Sequence, residues 1–428
     1  MRDRNFVPSL SLDRLRAILQ SFGLLMCALA TPASAADWPQ FRGPDGQGHA
    51  DAEQVPTEWS ADKNVAWKTE LKGEGWSSPI VSQGKVYLTT AVPIEGGQPN
   101  DRSLTTSCIE SLTGNVLWEK AVFEQRHDDT EAIHGKNSHA TPTPVTDGRR
   151  LYVHYGTQGT ACLSLDGEIL WTTRELIYKP QHGGGGSPVL IDDLVVVNCD
   201  GSDIQFIAAL EQATGKIRWR RSRPAIETSK GFSFCTPLVI EVDGHPQIVS
   251  PASDQVIAYD VAGEELWRFN YQGYSVVPRP VFSDGLLFIS TSFDQPTLYA
   301  LKPSASTKTP DVVWSLEKGA PHTPSPLVIG EELYLVSDRG IATCVDAKSG
   351  KVHWTERLGG NYSASPVYAG GFIYVQNEDG GTIVMRPGKT YVEEARNSLP
   401  GRTLASFSIA DSSIFLRTDT HLYRIAND

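Results

Sequence analysis

Apolar and polar residues alternate along most of this chain in short runs of four or five, separated by turns rich in Gly, Asp, Lys and Ser. A period of two marks a strand with one face against a core. Runs this short, bounded by turn residues, predict many short strands rather than helices. One stretch displays the whole grammar. Pro326 to Ile329 reads as a strand, Glu331 and Glu332 as a turn, Leu333 to Val336 as a second strand and Asp338 to Gly340 as another turn. Ile341 to Asp346 is a third strand, Lys348 to Gly350 a tight turn, and Lys351 to Thr355 a fourth strand carrying Trp354.

The same order recurs along the chain. Units open at Pro79, Pro144, Pro188, Pro237, Pro280, Pro326 and Pro366, with Phe407 in the eighth place; the steps are 65, 44, 49, 43, 46, 40 and 41 residues. Four-stranded propeller blades need about 40–45 residues. The long first step holds two insertions, Pro93 to Arg102 within the first unit and Gln125 to Ser138 between the first and second. Five units place a Gly four residues before a Trp: Gly114/Trp118, Gly167/Trp171, Gly215/Trp219, Gly263/Trp267 and Gly350/Trp354. An indole at a constant place on each outer strand predicts a filler for the wedge between sheets that diverge outward. Each buries about 150–250 Å², or roughly 4–6 kcal/mol before entropy. The Gly allows a positive φ in the turn that feeds the strand. Surface platforms for sugar stacking would not require the constant spacing.

The last unit, Leu404 to Ile425, supplies three strands only. The missing one stands near the amino end, Asn64 to Glu70, with Trp67 in the docking place. The expected fold is therefore all-β: an eight-bladed β-propeller of four-stranded antiparallel blades over residues 63–428, closed by the N-terminal strand completing the last blade and preceded by an extended segment, 37–62. Blade seven offers Val392 where the others have Trp, which predicts a weaker joint.

Charge and cysteine content narrow the setting. Residues 1–36 join a basic start (Arg2, Arg4, Arg14, Arg16) to an apolar run and a small-residue site at Ala33-Ser34-Ala35. This is the pattern of a signal peptide cleaved near Ala35/Ala36, which predicts a periplasmic or secreted protein with no transmembrane segment in the mature chain. Removing four Arg and two Asp from 38 basic and 50 acidic groups leaves 34 and 48, a net charge near −14. Such a surface repels phosphate backbones, so nucleic acid is not an expected partner. Five Cys remain, and Cys108, Cys162 and Cys344 occupy equivalent places in different blades, too far apart to bridge. Buried thiols are expected, and a monomer.

Two units, Ala209 to Trp219 and Cys344 to Trp354, carry Asp or Glu, then (Thr/Ser)-Gly-Lys-x-x-Trp. This resembles the repeat of the pyrroloquinoline-quinone (PQQ) propeller superfamily, and Asp37-Trp38-Pro39-Gln40-Phe41-Arg42-Gly43-Pro44-Asp45-Gly46 resembles the opening of secreted PQQ-like propellers. The resemblance covers residue 37 to the end. It implies either a non-catalytic scaffold, as in BamB-type outer-membrane assembly propellers, or a quinoprotein dehydrogenase holding PQQ with calcium. The adjacent Cys pair typical of those dehydrogenases is missing here.

In such a ring the loops leading into the inner strands and those between second and third strands share one face. The first set brings Trp76, His139, His182, Tyr274, Arg279, His322, Asn361, Tyr362 and Arg402 to the expected channel mouth; the second includes Asp294 and Asp338, with Asp200, Asp203, Asp254, Arg339, Glu378 and Asp379. Arg279 stands out because other units have Ser or Thr in its place. It reads either as a bidentate partner for a ligand carboxylate or as an ion-pair partner of Asp254 or Asp294. Gly183 to Gly186, after His182, reads as a flexible blade connector or, alternatively, as backbone amides presented to an anion. The His and acidic residues of the insertion 125–138 match no standard zinc spacing, and no metal site is assigned. No nucleophile motif is present. The expected function is non-catalytic binding of an envelope protein or glycan through the loop face. The alternatives are a PQQ-binding oxidoreductase and a polysaccharide-active hydrolase or lyase.

Overall fold

A computed structural model describes residue 1 and residues 37–130, 133–224, 230–304 and 306–427. The leader pattern at 2–36 lies outside them. Seven sheets each take four consecutive antiparallel strands, beginning with Ile80–Ser82, Lys85–Pro93, Arg102–Glu110 and Val116–Gln125. The eighth is composite: Val65–Glu70 lies beside His421–Ile425, then Ser413–Arg417 and Ser408–Ala410. Lys68 faces Tyr423 and Glu70 faces His421 across that seam. The chain is thus an eight-bladed propeller whose first strand completes its last blade. Among the described residues the only helical turns are His127–Asp129 and Gly156–Gln158.

The hairpins that leave the inner strands explain the blade geometry. Asp243–Gly244, Asp284–Gly285 and Gly370–Gly371 all hold two successive positive φ values. That is the two-residue turn whose twist matches antiparallel strands. In blade six the turn is Gly330–Glu331, and Glu332 already belongs to the second strand Glu332–Val336.

Blade-to-blade packing gives the Gly and Trp of the repeat separate partners. Five indoles, those of Trp67, Trp118, Trp171, Trp219 and Trp314, lie on the glycine of the next blade. A Cβ built on Gly114 would approach Trp67 to 2.6 Å, one on Gly167 would meet Trp118 at 2.8 Å, and one on Gly350 would meet Trp314 at 2.7 Å. Those five indole N–H groups and that of Trp354 also donate to the next blade's backbone, as from Trp118 to Leu165 at 3.2 Å and from Trp219 to Val261 at 2.9 Å, whereas Trp267 donates to Gln247 of its own blade at 2.7 Å. The glycine therefore supplies both a positive φ and a flat landing site.

Blade seven departs from the expectation. Ala395, not Val392, occupies the indole's register, opposite Val384; Val392 is 43% exposed. The joint to blade eight is filled from elsewhere. Trp59, 3% exposed, stacks on Tyr374 with 6.4 Å between ring centroids. Its backbone N–H donates to Asn397, which donates back to Thr57. The extended segment brings its own indole to the place that lacks one, so the reason to expect a weak joint is removed.

Candidate functional site

The ring encloses a channel whose wall is set at the residue before each aligned proline. Ser78, Thr143, Ser187, Ser325, Ser365 and Ser406 each give a backbone N–H to the hydroxyl or link of the following blade. The bonds are Ser78 to Thr143 (2.9 Å), Thr143 to Ser187 (2.9 Å), Ser187 to Thr236 (2.9 Å), Arg279 to Ser325 (2.9 Å), Ser325 to Ser365 (3.0 Å), Ser365 to Ser406 (2.9 Å) and Ser406 to Ser78 (3.1 Å). Seven links make a circular belt. The gap follows Thr236, where the next blade carries Arg279 in place of a hydroxyl.

Arg279 is therefore not a free cation at the mouth. It is 2% exposed and donates to the Pro237 carbonyl (3.0 Å), the Phe41 carbonyl (2.6 Å) and the Gln40 side-chain oxygen (3.4 Å). Neither Asp254 nor Asp294 pairs with it. Its partners belong to the segment that precedes the first blade, which runs under the channel. Trp38 bridges Val81 in blade one, Thr146 of blade two donates to Pro39, Phe282 of blade five donates to Gln47, and Ala50 donates to Tyr368 of blade seven. Arg42, fully buried, donates to Gln47 and to Pro326 of blade six. Burial, and then the neighbouring charge of Arg279, lower the Arg42 pKa to about 9. The segment closes one end of the channel, and Phe41 lies at the base of the space above it.

That space is a cavity of about 300 Å³ opening on the opposite face. The belt hydroxyls form its depth. Its lip is an arc of rings: His134 to His182 (5.6 Å), His182 to Phe232 (5.6 Å), Phe232 to Tyr274 (5.8 Å), Tyr274 to Phe293 (6.2 Å) and Phe293 to His322 (5.0 Å). Trp76 lines it too, with the Arg402 guanidinium 5.7 Å from its ring centroid. Burial, and then the neighbouring His134, depress the His182 pKa. The insertion 125–138 reaches across the mouth. Asn137 donates to the His182 carbonyl, Lys136 pairs with Glu378 at 2.7 Å, and Arg402 donates to the Gly135 carbonyl.

The expected mouth residues thus divide. Trp76, His182 and Tyr274 line the cavity, and His322 lines a groove beside it that shares His134, Lys136, Phe293 and Thr323. Asp338 is a structural acceptor, bound by the His322 and Thr323 backbone N–H groups and the Thr323 hydroxyl. Tyr362, 1% exposed, belongs to the core between blades six and seven. His139 is tied to Gln125, and burial lowers its pKa to about 4. Asn361 and Asp294 are exposed and Arg402 caps Trp76. Sequence reasoning passed over Phe232, Phe234, Phe293, His134 and Lys136. Phe232-Ser-Phe234, just before Thr236-Pro237, carried the available signal: apolar rings in a loop leading into an inner strand.

Calcium-held PQQ does not fit these residues. No carboxylate lines the cavity, its one ammonium is neutralised by Glu378, and Arg279 is committed to the segment below. Among the described residues no three His, Cys, Asp or Glu side chains gather closely enough to hold a metal. A metal would need such a donor set.

The sequence profile described as outer membrane protein assembly factor BamB matches residues 103–250 and 304–389, just over half of the chain. Among curated protein sequences, none matches significantly. Solved structures that share the fold include the following three. BamB from Moraxella catarrhalis aligns with a TM-score of 0.61 at 14% identity, covering 84% of this chain and 96% of that one. A europium-containing methanol dehydrogenase aligns at 0.66 and 10% identity, covering 90% of each. The computationally designed Ika8 protein aligns at 0.57 and 12% identity, covering 89% of this chain and all of that one.

Proposed function

This chain belongs to the family described as outer membrane protein assembly factor BamB, and from that premise we propose that it is an extracytoplasmic binding propeller without chemistry of its own. Its site is the blind funnel on the loop face, and its partner is an envelope component that inserts a small part of itself there. The family's description and the leader pattern at 1–36 support an envelope setting. The single observation that carries the reading is the funnel's composition: rings and hydroxyls line it, while the nearby carboxylates are engaged in the fold. Glu378 holds Lys136 and the Ser363 hydroxyl, and Asp338 holds the Thr323 turn. A glycosidase needs two carboxyl groups facing one bond, and no carboxylate lines the funnel, so the hydrolase reading has less support than the binding one, as has the quinoprotein reading.

The test uses the mature chain from residue 37. A photo-reactive residue at position 274 should cross-link one envelope component, and the same residue at exposed Val116 on the rim should not. Added PQQ and calcium should give no quinone absorbance and no dye reduction with alcohols. Cross-links only from the rim, or stoichiometric quinone binding, would overturn the proposal.

A further inference from the structure

We propose that the funnel receives the uncharged terminal unit of a glycan chain, an inference that rests on the binding reading above and names its ligand. Three features converge. The depth of the funnel is a belt of hydroxyls, each accepting one backbone N–H and donating to no protein group among the described residues. Each keeps a proton and a lone pair, the bifunctional set that a sugar hydroxyl needs. An apolar ligand in the same place would strip water from these groups without replacing its bonds, which is unfavourable for each group left unpaired.

The lip supplies the complementary half. Phe232, Tyr274 and Phe293 lie on adjoining loops, with Phe232 edge-on to Tyr274 at 81° and Tyr274 inclined 35° to Phe293. Lys230 covers one face of Tyr274, and the remaining ring surfaces are large, rigid and apolar, suited to the C–H faces of a pyranose. No carboxylate faces inward, the Lys136 ammonium is paired with Glu378, and the Lys230 ammonium at the lip is held against the Tyr274 ring, 4.1 Å from its centroid.

Shape decides which part of a chain enters. About 300 Å³ is at the small end of ligand pockets, and the floor is closed by Phe41 and the segment held by Arg279. A polymer cannot thread through. It can enter only by an end.

Saturation-transfer NMR and calorimetry on the mature chain test this with maltotriose, cellotriose, mannotriose and chitotriose, their uronate or sulfated counterparts, and a neutral tripeptide. At least one neutral trisaccharide should bind, its disaccharide within about threefold, with little change between 0.05 and 0.5 M salt. Tyr274→Ala should weaken it at least tenfold, and Tyr274→Phe should retain it, which separates ring loss from misfolding. Preference for the anionic sugars with steep salt dependence, or for the peptide, or indifference to Tyr274→Ala, would overturn the inference. If no sugar binds while position 274 still cross-links an envelope protein, the glycan inference falls and the binding reading stands. If neither occurs, both fall.

Discussion

Trp67, on the first strand of the propeller, rests on Gly114 of blade one, where a Cβ would come within 2.6 Å of its ring. Its indole N–H reaches the Ser111 carbonyl at 3.0 Å. This one contact seals the ring, because its strand pairs with the carboxy-terminal strand while its side chain docks on the opposite neighbour.

Gly114 and Gly244 share a φ of +76°, but nothing lies within 4 Å of a Cβ at Gly244. Gly244→Ala should cost only the backbone term, about 1–2 kcal/mol. Gly114→Ala adds an indole collision, and overpacking of this kind costs about 1–3 kcal/mol more. Denaturant titration of both variants reads the difference directly. Equal losses would show that the indole is not seated as described.

Trp59→Ala should destabilise the protein by about 3–5 kcal/mol, the range for deleting a buried large aromatic. Val392→Ala, at an exposed outer-strand position, should be near neutral. The reverse order would restore Val392 to the blade-seven joint.

Arg279→Ser would install the residue type found elsewhere in the belt while removing the bonds to Phe41 and Gln40. The expected result is a ring that still folds but a segment around 37–50 that exchanges its amides and is cut by protease at least tenfold faster. Unchanged protection of that segment would mean that Arg279 does not hold it. Deleting residues 37–70, which also removes the closing strand, should lower the melting temperature sharply.

His154 is 1% exposed, and its Nδ1 lies 2.8 Å from the Thr160 hydroxyl. Burial lowers its pKa from 6.5 to about 4. The unfolded chain therefore takes up a proton between these values and the folded one does not. Stability is full above pH 6.5 and falls on acidification toward pH 4, at up to about 1.4 kcal/mol per pH unit from this group. His154→Gln should flatten that part of the pH–stability curve measured by urea unfolding. An unchanged slope would assign the loss to other groups.

Alternating short runs and a recurring Gly-to-Trp spacing were enough to read eight blades, four strands in each, and the origin of the closing strand, because these are local periods written into every unit. The same spacing suggested that a Gly serves its own strand, whereas its indole partner comes from the preceding blade. Arg279 was visible as an anomaly, but its partners lie more than 200 positions away in Gln40 and Phe41. Trp59 reaches Asn397 over a similar span. The belt, the closed floor, the aromatic lip and the filled joint of blade seven exist only once the ring has brought distant loops together. Strand periodicity is fixed by neighbours along the chain, while a channel is fixed by closure, and no local pattern records which side chains closure will bring face to face.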